Sequence, residues 1–298
     1  MKQTPIIFPL FDDGLAKKLA DKLHYEIGKI TQHQFPDEET VMQIDSDVTG
    51  RDIIFITSLD KPNSKLLPLI FAAETAGELG SKKITLIAPY LAYMRQDKQF
   101  QPGQGITSKY FAKLISIYFD SLITIDPHLH RWHSLNDIYS IPTKVLHASD
   151  DIALWIHQNI QNPVLIGPDV ESTQWVEEIA KKSNAPFLIL EKARKGDRSV
   201  EISIPNIERY RESTPILIDD IISTGMTMIE TIKHLQLLKL KPPVCIGVHA
   251  VFADNAYHEL LASGVERIVT CNTIQHVSNG IDISNGIIQL LEAVENFN

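Results

Sequence analysis

Apolar residues occur along this chain in short continuous runs, each followed by a longer stretch in which they recur at helical spacing. Strands that are buried on both faces are apolar throughout, so the alternation predicts a mainly parallel sheet flanked by helices. The predicted strands are 51–58, 83–89, 121–126, 163–167, 186–190, 215–218, 244–251 and 267–271, and the helices predicted in the first half are 63–80 and 107–119.

This pattern is repeated in the two halves of the chain, which predicts two α/β domains in tandem. We expect a first domain at 1–147 and a second at 148–298, joined by a helix near 150–160. A stretch rich in Gly and Ser, which would indicate a flexible linker, does not occur in the sequence.

Composition narrows the class of protein. The chain has 298 residues, 44% of them apolar, which is enough to build two cores. Lys and Arg total 28 against 37 for Asp and Glu, so nucleic acid is not an expected partner. We expect no membrane span, no secretion signal and a cytoplasmic location. Cys245 and Cys271 lie in apolar runs and are predicted to be buried, reduced thiols.

The most informative segment follows the predicted strand 215–218. Two carboxylates, Asp219 and Asp220, are expected at the end of that strand, followed by a tight loop and a helix. Backbone N–H groups and the hydroxyls of Ser223, Thr224 and Thr227 would converge at the helix N-terminus, where a phosphate dianion is stabilised. Gly225 allows close approach of the backbone, and the carboxylates are expected to face sugar hydroxyls or Mg²⁺.

Residues 216–227 resemble the phosphoribosyl-diphosphate loop of the type I phosphoribosyltransferase fold. Phosphoribosyltransferases and ribose-phosphate pyrophosphokinases share this loop, so the loop alone leaves both open. The resemblance implies a ribose 5-phosphate site made of Asp219, Asp220, Ser223, Thr224, Gly225, Met226 and Thr227.

Other polar segments follow predicted strands or turns. Phe35-Pro-Asp-Glu-Glu is expected to form a hairpin loop, where an aromatic ring beside carboxylates can hold a purine. Arg95 follows strand 83–89 at the carboxyl edge of the sheet, where it could bind a polyphosphate. His128 and His130 follow strand 121–126, and a His-x-His pair also occurs in zinc hydrolase barrels.

Taken in order, these segments are similar to the ribose-phosphate pyrophosphokinases over nearly the whole chain. The resemblance implies two type I phosphoribosyltransferase-like domains, the substrates ATP and ribose 5-phosphate, Mg²⁺, and a homo-oligomer, either a dimer or a hexamer. The residues that it implies are Phe35, Asp37, Glu39, Arg95, Gln96 and Asp97 for ATP, His128 and Asp169 for the metal, and Lys192, Arg194 and His128 for catalysis.

The chain also departs from the usual family pattern. Asp169 is followed by 170–175, Val-Glu-Ser-Thr-Gln-Trp, in place of a glycine pair, and Glu38 stands where glycine is common. Pro127 replaces a leucine, and Arg131-Trp-His-Ser replaces a pattern of glutamine and glycine. Two other functions therefore stay open: a nucleotide-binding regulator without activity of its own, and a phosphoribosyltransferase.

Overall fold

The computed structural model describes residues 4–11, 14–167, 172–194, 200–203 and 207–295. Contacts between Cα atoms divide the chain into two compact units. The first unit comprises Met1–Leu146 together with Ser284–Asn298, and the second comprises His147–Ile283.

The first unit is built on a six-stranded sheet in which every neighbouring pair is parallel. Its elements are β1 Ile6–Pro9, α1 Gly14–Leu23, β2 Glu26–Ile27, β3 Ile30–Gln34, β4 Thr40–Ile44, β5 Asp52–Ile56, α2 Pro62–Glu78, β6 Lys83–Ala88, α3 Thr107–Tyr118, β7 Ser121–Ile125 and β8 Thr143–Leu146. The strand order is β2-β1-β5-β6-β7-β8, and β3 and β4 form a separate antiparallel hairpin.

Burial on both faces explains why the strands of this sheet are apolar. Phe8 of β1 and Phe55 of β5 are fully buried, and their rings lie 5.5 Å apart between centroids. Leu86 of β6 and Ile115 of α3 belong to the same core and are equally inaccessible to solvent. A polar residue in the middle of such a strand would lose its water without gaining a partner, which is why the apolar runs predict these strands.

The second unit repeats the arrangement. Its elements are α4 Ser149–Asn159, β9 Pro163–Gly167, α5 Thr173–Lys182, β10 Phe187–Ile189, β11 Glu191–Arg194, β12 Val200–Ser203, β13 Thr214–Ile222, α6 Met226–Leu237, β14 Val244–Ala250, α7 Ala256–Ala262, β15 Arg267–Cys271 and β16 Asn279–Ile281. The parallel sheet has the order β10-β9-β13-β14-β15-β16, and β11 and β12 form a separate antiparallel hairpin.

The last helix, α8 Ser284–Glu295, belongs to the first unit. Lys22 Nζ of α1 donates to Asn285 Oδ1 of this helix at 2.6 Å, and Gly286 lies against the side chain of Leu146. The second unit, as contacts define it, therefore ends at Ile283 rather than at residue 298. The domain bounds expected from the sequence, 1–147 and 148–298, stay a prediction.

The predicted fold class, α/β with mainly parallel sheets, is confirmed. The predicted strands agree with the observed ones to within a few residues, and the helix expected at 150–160 is α4. Both cysteines are buried and neither forms a disulfide, as expected. Among the described residues, no helix is both long enough and apolar enough to cross a membrane.

Gly247 of β14 shows how tightly the second sheet packs. It pairs in register with Asp219 of β13, and a Cβ atom at this position would come within 2.7 Å of the side chain of Ile222. Ile222 is itself 1% exposed, so it has little room to move aside.

We expect Gly247→Ala to lower the free energy of unfolding by about 1 to 3 kcal/mol because it overpacks this contact. Denaturant-induced unfolding followed by circular dichroism would measure the change. Gly77→Ala is the matched control, since a Cβ at that position of α2 meets nothing within 4 Å. If both variants unfolded at the wild-type denaturant concentration, the steric argument would be wrong.

Candidate functional site

The loop between β13 and α6 presents a series of backbone N–H donors. The helix begins at Met226, and its first backbone N–H groups have no carbonyl one turn earlier to accept them. Among the described residues, the backbone N–H groups of 223–228 have no hydrogen-bond acceptor. Together with the positive end of the helix dipole, such donors bind an anion.

Gly225 gives this loop its shape. It is the N-cap of α6 and has a φ of 66°, which is the left-handed region that residues with a Cβ rarely adopt. A Cβ atom here would meet only side-chain carbons of Leu260, at 3.9 Å and beyond. The backbone conformation, and not a lack of space against the protein, therefore requires the glycine.

Asp219 and Asp220 lie within β13 and not at its end, which corrects the expected position. The strand continues to Ile222, with Asp219 paired to Gly247 and Ile221 paired to His249. Both carboxylates are half-buried, and Asp219 Oδ1 accepts the backbone N–H of Asp220 at 3.0 Å. Successive side chains of a strand point to opposite faces, so the two carboxylates leave β13 on different sides.

Phe252, Tyr257 and His276 form a cluster of rings whose first residue is bonded through its backbone to the end of β13, and the sequence did not predict this cluster. The N–H groups of Phe252 and Ala253 donate to the carbonyls of Ile222 and Ser223. The Phe252 ring lies 4.7 Å from His276 and 5.2 Å from Tyr257, measured between centroids.

The protonation state of His276 follows from its burial in this cluster. Burial lowers the pKa of its imidazole, so His276 is neutral near pH 7. Positions 252, 257 and 276 have neither helical nor alternating spacing, so no local pattern predicts that these rings meet.

In the first unit, the predicted purine-binding loop is the turn of the β3–β4 hairpin, as expected. The Phe35 ring is 44% exposed, and it lies 4.7 Å from the His33 ring between centroids, with the two planes at 87°. Asp37 Oδ1 accepts the N–H of Glu39 at 3.3 Å. Glu38 has a φ of 71°, which explains why glycine would suit this position.

The segment after β6 places Arg95 and Gln96 in solvent at the carboxyl edge of the first sheet. Neither side chain has a hydrogen bond or ion pair with any described residue. Asp97 differs, because its side chain is 5% exposed and its Oδ1 lies 3.5 Å from Nε of Arg131. Arg95 and Gln96 are therefore available to a ligand, whereas the Asp97 carboxylate faces the protein.

His128 and His130 lie in the loop after β7, with their rings stacked 3.7 Å apart between centroids and 23° between planes. The sheet that carries them is open, with β2 and β8 at its edges, so it is not the closed barrel of a zinc hydrolase. β7, which leads to His128, pairs with β6, which leads to Arg95.

Three predicted residues are described only in part or not at all. Asp169 lies outside the described residues. Lys192 and Arg194 lie in β11, paired to Ile202 and Val200 of β12, so the expected basic loop begins as a hairpin strand. The roles predicted for these residues, and for the others named from the sequence, stay predictions.

The two sheets share one topology. In order of occurrence along the chain, the strands of each sheet are arranged 2-1-3-4-5-6. The chain changes direction between β1 and β5 in the first unit and between β9 and β13 in the second, and ligands of such sheets bind at the carboxyl ends next to that switch. β13 leads directly to the loop at the start of α6. This fold and loop define the type I phosphoribosyltransferase-like class.

Comparison with known proteins specifies the family within that class. Residues 11–118 match the N-terminal domain of ribose phosphate pyrophosphokinase, and residues 135–284 match the phosphoribosyl transferase domain. The chain is 32% identical to a ribose-phosphate pyrophosphokinase from Sulfurisphaera tokodaii, over 88% of this chain and 90% of that protein. A protein of the same name from Methanopyrus kandleri is 29% identical and covers 95% of both chains.

The crystal structure of phosphoribosylpyrophosphate synthetase from Mycobacterium smegmatis has the same fold, with a TM-score of 0.86 at 21% identity over 99% of this chain and all of that chain. The chain therefore belongs to the ribose-phosphate pyrophosphokinase family, and the resemblance stated from the sequence is confirmed.

We expect Gly225→Ala to destabilise the protein by about 1 to 2 kcal/mol and to weaken phosphate binding, since a Cβ disfavours the left-handed conformation that aims the N–H groups. Unfolding in denaturant and calorimetric titration with a phosphate monoester would measure both effects. Gly225→Asn should lose less, because asparagine tolerates this region better. Full retention of stability and binding in the alanine variant would contradict the proposed role of the backbone.

Proposed function

We propose that the chain is a ribose-phosphate diphosphokinase that converts ATP and ribose 5-phosphate into 5-phosphoribosyl 1-diphosphate and AMP. The observation that carries the proposal is the anion site at the start of α6, where six consecutive backbone N–H groups, those of residues 223–228, have no acceptor among the described residues. Membership in the family supports the reaction, and so do the relatives' names.

The first unit supports ATP as the second substrate. An exposed Phe35 ring beside acidic side chains suits adenine, and the unpaired cation Arg95 suits a polyphosphate. A phosphoribosyltransferase acts on phosphoribosyl diphosphate and a base, so it has less use for such a unit. The match of residues 11–118 to the pyrophosphokinase N-terminal domain favours the kinase over that alternative.

In the proposed reaction, the C1 hydroxyl oxygen of ribose 5-phosphate attacks the β-phosphorus of ATP. A bond forms between that oxygen and the β-phosphorus, and the bond from the β-phosphorus to the oxygen bridging it to the α-phosphorus breaks. AMP leaves with that electron pair, and the hydroxyl proton is released. Such a transfer needs little covalent chemistry from the protein, so its residues act mainly by positioning and by charge.

We assign different residues to the binding of ribose 5-phosphate and of ATP. The loop 223–228 would hold the 5-phosphate, with the side chains of Ser223, Thr224 and Thr227 adding hydroxyl donors. Asp219 and Asp220 would face the sugar. We assign to Lys192 and Arg194 the charge that stabilises the transferring phosphates, and to His128 a contact with the same group. Phe35, Asp37, Glu39, Arg95 and Gln96 would bind ATP.

Mg²⁺ is the proposed cofactor, and the donors present fit it unequally. Carboxylate oxygens such as those of Asp169, Asp219 and Asp220 are ligands that Mg²⁺ prefers. The imidazole nitrogen of His128 suits other metals better, which favours a place for His128 beside the nucleotide phosphates. When bound, Mg²⁺ would neutralise charge on the polyphosphate.

We also propose a homo-oligomer, a dimer or a hexamer, and a cytoplasmic location. Both rest on resemblance to the family. Sedimentation of the purified protein would measure the oligomeric state.

The function can be tested directly by mixing purified protein with Mg²⁺, ATP and ribose 5-phosphate and following ³¹P NMR. We expect AMP and a sugar 1-diphosphate to appear together. Activity that appears only after addition of a related active enzyme would favour the regulatory alternative. Consumption of phosphoribosyl diphosphate with a free base, without any reaction of ATP, would favour a phosphoribosyltransferase.

Within this mechanism, Lys192→Ala should lower turnover by about 10³-fold or more, the scale of one cation that stabilises a transferring phosphoryl group. ATP affinity should stay within several-fold, because the charge is needed in the transition state. Steady-state kinetics and calorimetry would separate the two quantities. Lys233→Ala is the control, since Lys233 is an exposed lysine on α6. Normal turnover of Lys192→Ala would remove this residue from the mechanism.

A further inference from the structure

Among the described residues, the buried carboxylate of Asp97 has one partner, the guanidinium of Arg131, at 3.5 Å from Oδ1 to Nε. The Asp97 side chain is 5% exposed and the Arg131 side chain 49%. A carboxylate removed from water is stabilised by a partner of opposite charge, and Arg131 supplies that charge. The pair connects the segment after β6 to the loop after β7.

Arg131 keeps most of its binding capacity. The guanidinium has five N–H donors in one plane, and the contact with Asp97 is made at Nε. Among the described residues, the two terminal nitrogens have no hydrogen-bond or ion-pair partner. A half-exposed guanidinium that is anchored at one atom can bind an anion without first losing much side-chain freedom.

The loop that carries Arg131 is itself held in place. Lys109 Nζ of α3 lies 5.2 Å from the centre of the Trp132 ring, and Trp132 packs against the core of the unit. Asp137 Oδ2 accepts the backbone N–H groups of His133 and Ser134 at 2.8 and 3.1 Å. These contacts fix the backbone on the C-terminal side of Arg131.

The segment after β6 also carries side chains that suit an anionic ligand. Asp97 directly follows Arg95 and Gln96, whose exposed side chains have no partner among the described residues. The loops after β6 and β7 leave adjacent parallel strands at the carboxyl edge of the sheet, where ligands of such folds bind. Two guanidinium groups at one edge match a ligand with several negative charges, and bidentate contacts to phosphate are what arginine makes best.

We propose that Arg131 binds the polyphosphate of ATP together with Arg95, and that Asp97 is a positioning residue that holds Arg131 and does not contact the nucleotide. The proposal rests on the proposed function of the protein, because it takes ATP as the substrate of the first unit. It also gives a role to Arg131 in the segment Arg131-Trp-His-Ser, in which this chain departs from its family. The proposal differs from the expectation that Asp97 binds ATP, which stays a prediction.

The test is calorimetric titration of the full-length protein with ATP and with AMP. Arg131→Gln should weaken ATP binding by about tenfold to hundredfold, the range expected for loss of charged hydrogen bonds, and should leave AMP binding within about twofold. AMP lacks the β- and γ-phosphates, so the ratio of the two affinities isolates the polyphosphate contact. Arg131→Lys should recover part of the ATP affinity, since it restores the charge but not the planar fork.

Asp97→Asn tests the positioning role by the same ratio. It should weaken ATP binding less than Arg131→Gln does, and the double variant should bind ATP no worse than Arg131→Gln alone, because Asp97 acts only through Arg131. Lys113→Gln is the control for charge, since it removes an exposed lysine of α3 that has no partner among the described residues. Its ATP affinity should stay within about twofold of wild type.

Equal weakening of ATP and AMP by Arg131→Gln, with a lowered Tm, would mean that Arg131 only stabilises the loop, and it would overturn the proposal. Unchanged ATP affinity would overturn it as well. If Arg131→Gln fails to fold, the ratio measured for Arg131→Lys decides between the same outcomes. A wild-type protein that binds neither nucleotide would instead contradict the proposed function, so the two failures are distinguishable.

Discussion

The first turn of an α-helix cannot satisfy its own backbone donors, and the proposed chemistry of this protein depends on that constraint. The N–H groups without acceptors at the start of α6 come directly after the buried strand β13. Gly225, in the left-handed conformation, turns the chain between this strand and the helix. The rest of the second unit keeps this turn in place. Packing of Gly247 against Ile222 brings β14 close, and two backbone hydrogen bonds from Phe252 and Ala253 hold the end of β13.

The two units show how one scaffold can present different chemistry. Both sheets have the same strand order, and in both an antiparallel hairpin is inserted after the second strand of the sheet. In the first unit the hairpin turn carries Phe35 and its acidic neighbours, and in the second unit the hairpin begins with Lys192 and Arg194. The sheet supplies a rigid edge, and the loops and hairpins differ, which is where function changes most readily in α/β folds.

The loops at the carboxyl edge of the first sheet hold an ion pair with a buried carboxylate. The buried carboxylate of Asp97 lies against the cation Arg131, whose terminal nitrogens have no partner among the described residues. An ion pair of this kind contributes little to stability by itself, since desolvation offsets the attraction. Its consequence is geometric, because it fixes where a half-exposed guanidinium lies.

The sequence by itself determined eight strands of the two parallel sheets, the helices α2, α3, α4 and α6, and the order of the candidate loops. Burial on two faces requires continuous apolar runs, and glycine and hydroxyl residues cluster where a chain turns. It also located Phe35, Arg95 and Gly225 correctly at turns and strand ends. Only the tertiary structure decided that β13 extends through Asp219 and Asp220, that α8 returns to the first unit, and that Asp97 faces Arg131. Strand length depends on the partner strand, and contacts between distant segments depend on which loops meet at one edge, so neither is written in the local pattern of residues.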